Sequence, residues 1–115
     1  MTDHMAKPVI RNGELDIWRK DIEPFRDIKH IHCKISGIVT EDGRRWTPER
    51  AKPYLGTIRD VFGMDCFVWG SDWPVVNLVA DYLRWVSTVE GALAGLKPTD
   101  RQKAWADSAI HFYKP

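Results

Sequence analysis

The residues of this sequence best placed to do chemistry are Gly70-Ser71-Asp72-Trp73-Pro74, a sharp turn directly after the wholly apolar run Cys66 to Trp69. A short apolar run bounded by such a turn reads as a buried parallel strand, and α/β folds bind ligands at the carboxyl ends of their strands. Asp72 is the titratable residue of that turn, and a carboxylate held there can exchange a proton with a bound water. Ser-Asp and Asp-x-Pro sequences also favour turns in their own right, so residue types alone leave a purely structural Asp72 open. A second strand end falls at Ser36-Gly37. It follows the stretch Ile31 to Ser36, in which Ile31, Cys33 and Ile35 face one way and His32, Lys34 and Ser36 the other.

These two strand ends need elements to position them, and the chain reads as an alternation of strand and helix. Glu14 to about Glu23 is predicted helical, with Leu15, Trp18 and Ile22 on one face and Pro24 ending or kinking it. Gly37 to Trp46 reads as a charged loop. Thr47-Pro48 then supplies an N-cap followed by proline at the first helical position. The helix it opens carries Ala51, Tyr54, Leu55, Ile58, Val61 and Phe62 on one stripe and ends at Gly63. A further helix is predicted over about Val79 to Leu93, with Tyr82, Val86, Val89 and Leu93 inward. The last helix shows a capping box, Thr99 with Gln102 after Pro98, and a stripe of Trp105, Ala109 and Phe112. The two strands begin 35 residues apart with one helix between them, the length of a βαβ unit, so parallel pairing is expected. Such units build doubly wound sheets or closed barrels, and periodicity does not separate the two.

Composition narrows the class. The chain has 115 residues, 43% apolar and 29% charged, which suits one globular domain or part of one. A net charge of +1, with Lys and Arg interleaved among Asp and Glu, lacks the basic footprint of a nucleic-acid binder. No apolar run reaches the roughly 20 residues that cross a bilayer, and Met1-Thr2-Asp3-His4 has no signal-peptide character, so a cytoplasmic location is expected. Cys33 and Cys66 are too few and too far apart for a disulfide scaffold or zinc ribbon and are expected in the core. His30, His32 and His111 read as surface or core residues without a chemical role.

Several blocks together carry a family resemblance. Lys34-Ile35-Ser36-Gly37-Ile38-Val39-Thr40-Glu41, Trp46, Pro53-Tyr54, Phe62-Gly63, Gly70-Ser71-Asp72-Trp73-Pro74-Val75 and Asp3-His4-Met5-Ala6-Lys7-Pro8 resemble the last third of the amidohydrolase-related lactonases. These are the L-fuconolactone and L-rhamnonolactone hydrolases and, more distantly, the pyrone-dicarboxylate lactonases. The resemblance implies the C-terminal portion of a TIM-like (β/α)8 barrel, about two and a half βα units with parallel strands. Ile31 to Ser36 would then be strand seven and Cys66 to Trp69 strand eight, with His4 just past strand six. It further implies water attack on a lactone carbonyl with Asp72 as general base, and contacts to a small lactone or carboxylate substrate from His4, Lys34, Ser36 and Trp73. Lys34 and Ser36 would face the barrel lumen, where a packed lysine–carboxylate pair is an equal alternative, and Trp73 could stack on a sugar ring or pack under its turn. If a divalent metal such as zinc takes part, His4 and Asp72 are the implied ligands; a metal-independent reaction is also compatible.

Some positions depart from the family pattern. Cys66 stands where relatives often have arginine, Asp107-Ser108 replaces an Asn-containing pair, and the first-strand His-x-His has no counterpart, its only such spacing being His30-Ile31-His32. A whole barrel takes about 250 residues and eight strands, so this chain is expected to be a fragment of one. An unpaired strand edge and uncovered apolar surface would then favour self-association, or binding of the missing barrel half. The alternatives to a hydrolase are a non-catalytic remnant or interaction module, and a related metal-dependent decarboxylase.

Overall fold

The computed structural model of the chain describes residues 1–6, 8, 15–43, 46–78 and 80–114, without the side chains of residues 41 and 42. Two short strands, β1 (Cys33–Ile35) and β2 (Phe67–Trp69), pair in parallel with Cys33 opposite Phe67 and Ile35 opposite Trp69. Thr2 adds a one-residue parallel bridge on the other side of β1, donating its N–H to the His32 carbonyl (2.7 Å) and accepting from the Lys34 N–H (2.8 Å). The βαβ unit and the stub of a third strand are therefore both present. β1 is shorter than the predicted Ile31 to Ser36, and Cys66 lies in a 3-10 turn, Met64–Cys66, before β2.

α1 (Leu15–Ile22) buries Trp18 and Ile22 as its spacing predicts, and Glu23–Asp27 continues it as a 3-10 turn with Pro24 inside. Glu14 lies outside the described residues. The segment expected as loop contains a short helix, α2 (Ile38–Asp42), opened by Gly37 at φ 73°. Ile38 and Val39 are buried there, so five residues too few to show a helical period still fold against the core.

α3 (Pro48–Phe62) matches its sequence signals closely. The Thr47 hydroxyl accepts the Arg50 N–H at 3.1 Å, every residue of the predicted stripe is buried, and Gly63 ends the helix at φ 76°. α4 (Tyr82–Leu93) starts later than predicted because the Asp81 carboxylate caps it, accepting the Arg84 N–H at 2.7 Å; Val79 lies outside the described residues. Its inward face is also corrected. Trp85, Thr88, Val89 and Leu93 are buried, whereas Tyr82 is exposed and Val86 half-buried, because the Trp85 indole takes the inward position and donates to the Gly70 carbonyl at 2.9 Å.

The last helix runs as α5 (Pro98–Gln102), a π-helical stretch (Lys103–Asp107) and α6 (Ser108–Tyr113). The predicted capping box does not form. Pro98 takes the first helical position, which puts Thr99 inside the helix, and the Gln102 amide donates to Asp107 instead. The wide turn shifts the buried stripe by one residue, so Ala104 and Ser108 are buried while Trp105, Ala109 and Phe112 are only partly so. Ser108 donates to the Met64 carbonyl at 2.8 Å.

Both cysteines are buried free thiols, and burial pushes each thiol above the ordinary range. His32 is a core residue. It is 7% exposed, neither ring nitrogen has a hydrogen-bond partner among the described residues, and its ring lies 4.8 Å from that of Phe112 and 6.3 Å from that of His111. Burial lowers its pKa first of all, the charges of His111 and the amino terminus add to this, and the Asp65 carboxylate opposes it. The unfolded ring, with an ordinary pKa near 6.5, takes up a proton that the folded ring resists. Below that pH the unfolded state binds more protons, so stability falls as pH falls, by at most about 1.4 kcal/mol per pH unit for this one proton. Urea midpoints measured from pH 8 down to 5 should show this decline, and His32→Phe should flatten it; an equally steep decline in the variant would remove His32 as the cause.

Candidate active site

The site forms where the Thr2 segment, β1 and β2 end side by side. After Thr2 the chain turns through His4 (φ 48°), Met5 (φ 54°) and Ala6 (φ 57°), three successive non-glycine residues in the left-handed region. Each costs roughly 1–2 kcal/mol relative to right-handed backbone, so tertiary contacts must hold the turn. Met5 is fully buried, and its carbonyl accepts the Trp18 indole N–H at 3.1 Å. α1 thereby latches the segment that presents His4.

Asp72 also lies in the left-handed region, at φ 57°, a conformation that Asp tolerates better than most residues. The turn around it is tied at both ends. Gly70 donates its N–H to the Ile35 carbonyl at 3.0 Å and accepts from Trp85, and the Asp72 carbonyl accepts the Val76 N–H at 2.9 Å. A Cβ on Gly70 would stand 3.2 Å from both Lys34 Cγ and Ser36 Cβ, tighter than ordinary contact, so a glycine lets the two strand ends come this close.

The outcome is that three residues far apart in the sequence, His4, Ser36 and Asp72, meet. His4 Nδ1 lies 3.0 Å from Ser36 Oγ and 3.8 Å from Asp72 Oδ1. The Asp72 side chain is 13% exposed and that of His4 35%, an arrangement in which a carboxylate is largely sheltered but still open to a ligand on one side. Ser36 is buried, with its hydroxyl turned to His4. Lys34 shares the strand end and pairs with a carboxylate, though an exposed one and not the packed partner weighed above: its Nζ lies 3.1 Å from Asp3 Oδ1, and this bond holds the Asp3 carboxyl below the usual carboxylate range and raises Lys34. Trp73 follows Asp72 directly and is 67% exposed. A groove between α3 and α4, lined by Pro48, Lys52, Arg84 and Thr88, shares no residue with this site.

The donor set does not by itself fit a zinc ion. Among the described residues no group of three or more His, Cys, Asp and Glu side chains converges, and His4 with Asp72 makes only two of the three or four protein ligands such an ion takes. Left-handed backbone at both candidate residues, His4 and Asp72, is a pattern that clusters at functional sites, and here it was invisible in the sequence. Trp18, Trp85 and Asp3 as supports were likewise not foreseen; the glycines directly after each strand, Gly37 and Gly70, were the one signal that backbone approaches closely there.

The sequence profile of the amidohydrolase family matches residues 1–114. The chain belongs to the amidohydrolase family. It is 35% identical to an L-fucono-1,5-lactonase of Burkholderia ambifaria over 97% of its own length and 40% of that enzyme, and 33% identical to an L-fucono-1,5-lactonase of Burkholderia multivorans over 96% and 41%. A crystal structure of a Burkholderia multivorans amidohydrolase with bound zinc superposes with a TM-score of 0.89 at 32% identity, covering 97% of this chain and 42% of that one. A second crystal form of that amidohydrolase, with bound HEPES, gives 0.90 at 31% identity. The chain thus spans about two fifths of the length of the relatives it matches, and its amidohydrolase fold is a portion of a TIM-like barrel. No helix among the described residues is long and apolar enough to cross a membrane.

Proposed function

We propose that this chain carries part of the active site of a lactone hydrolase, with Asp72 as general base. The observation that carries this reading is the meeting of His4 and Asp72 within 3.8 Å, past the carboxyl ends of the two segments that flank β1, each on left-handed backbone. Water attacks the lactone carbonyl while Asp72 accepts its proton; the tetrahedral intermediate collapses, the ring C–O bond breaks, and the proton passes to the leaving alkoxide to give the open hydroxy acid. His4 would meet an oxygen of the substrate, and Lys34 and Trp73 stand at the rim where a sugar hydroxyl or ring face would lie. The similarity to L-fucono-1,5-lactonases favours a sugar lactone as substrate. A divalent metal would need donors beyond His4 and Asp72, and no step is assigned to one.

The site is incomplete within these residues, so the test joins it to the rest of a barrel. Residues 1–115 are substituted for the aligned two fifths of the Burkholderia ambifaria enzyme, and the chimera is assayed on L-fucono-1,5-lactone. Hydrolysis is expected from the chimera and little or none from the 115-residue chain. A folded chimera without activity would favour the remnant reading instead.

Self-association of the chain follows from its edges. Ile35 accepts the Gly70 N–H, so in a parallel ladder the backbone groups of Phe67 and Trp69 point to the opposite edge of β2, where no described strand pairs with them. Exposed Trp73, Val75 and Leu78 follow β2, and Leu83 is exposed at the start of α4. Sedimentation at micromolar concentration should show species larger than a monomer; a compact monomer that melts cooperatively would contradict this.

A further inference from the structure

Ser36, the residue directly after β1, turns its hydroxyl to His4. Ser36 is 1% exposed, and the one hydrogen-bond partner its side chain has among the described residues is His4 Nδ1, at 3.0 Å. A buried hydroxyl needs an acceptor for its proton. If Nδ1 carried a proton of its own, the serine O–H would be left without one, at a cost of about 1–3 kcal/mol. The opposing pull comes from Asp72 Oδ1, which would favour a proton on Nδ1 but lies 3.8 Å away, beyond hydrogen-bond length. The bond therefore runs from Ser36 Oγ–H to Nδ1.

The backbone beside Ser36 fits the same seat. Gly37 has φ 73°, and a Cβ there would come within 2.6 Å of His4 Nδ1 and 2.8 Å of Cγ, so this edge of the ring rests against a residue that must lack a side chain. Nε2 makes no hydrogen bond to a described residue. We propose that Ser36, with Gly37, is a positioning residue that holds the His4 ring with Nδ1 as acceptor and its proton on Nε2, making that N–H a donor to an oxygen of the bound ligand. This rests on the lactone-hydrolase reading above, in which the ligand oxygen is the lactone carbonyl or the oxyanion it becomes. It also takes Nδ1 out of use as a metal ligand while Ser36 holds it.

The test reads the tautomer without turnover. The 115-residue chain is labelled with nitrogen-15, and long-range proton–nitrogen spectra of its histidine rings are recorded at a pH where imidazole is neutral, with His4 assigned by the signals lost in His4→Asn. The expected wild-type ring has Nε2 protonated and Nδ1 accepting. In Ser36→Ala the proton should move toward Nδ1, which then faces Asp72 alone, with the Nδ1–H population rising several-fold; Ser36→Thr should restore the wild-type pattern. A proton on Nδ1 in the wild type, or an unchanged ring in Ser36→Ala, would overturn the proposal. Should Ser36→Ala fail to fold, the wild-type and Ser36→Thr spectra still decide the direction of the bond. Loss of the hydrolase reading would appear separately, in the activity of Asp72→Asn in the lactonase chimera.

Discussion

Asp72→Asn in the lactonase chimera is expected to lower kcat by about 10²–10⁴ with a much smaller change in KM, the range that loss of a positioned general base produces. Asn is the informative replacement. It matches the carboxylate in shape and tolerates the left-handed backbone that position 72 requires, at φ 57°, so the turn tied through Gly70 and Val76 should survive. What it removes is the capacity to accept a proton. Alanine would mix that loss with backbone strain of roughly 1–2 kcal/mol. Initial rates on L-fucono-1,5-lactone, with circular dichroism as the control for folding, make the measurement; an Asn variant that keeps the parent rate would assign the base elsewhere.

The second large effect is expected from Trp85→Ala, which should destabilise the fold by about 3–5 kcal/mol. Trp85 is among the largest fully buried side chains, and its indole N–H is the bond that pins the Gly70 carbonyl at the foot of the Asp72 turn. Truncation leaves a cavity in the core beside Gly70 and an unpaired carbonyl at once. Against a typical total stability of about 5–15 kcal/mol, that is a large share. Trp85→Phe keeps most of the packing and loses only the donor, so its cost should fall nearer 1–3 kcal/mol. Urea unfolding followed by circular dichroism measures both. A loss below about 1 kcal/mol in Trp85→Ala would show that α4 does not anchor the turn.

The two predictions probe different parts of how sequence becomes site. α3 was legible almost residue by residue, because Thr47, Pro48 and Gly63 act through local backbone chemistry and the stripe from Ala51 to Phe62 has a helical period. α4 was legible only in outline. A side chain to be capped and a ring to be turned inward were both available near its start, and the choice of Asp81 and Trp85 over Val79 and Tyr82 depends on where Gly70 lies in space. The last helix failed at its cap for a local reason, proline taking the first position. It failed at its stripe because a single wide turn at Lys103–Asp107 shifts everything after it.

The candidate site divides in the same way. Read alone, the sequence determined that Gly70 to Pro74 is a turn after a buried strand, that Ser36-Gly37 ends a second strand parallel to the first, and, through its pattern of blocks, which family the chain resembles. These follow from local propensity, period and spacing, which act over a few residues. Tertiary structure alone decided that His4 stands 3.8 Å from Asp72, that Ser36 faces His4, and that Lys34 is paired with Asp3. Those contacts join residues 31 to 68 positions apart in the chain. They exist because Trp18 and Trp85 hold two left-handed turns that neither segment would adopt by itself.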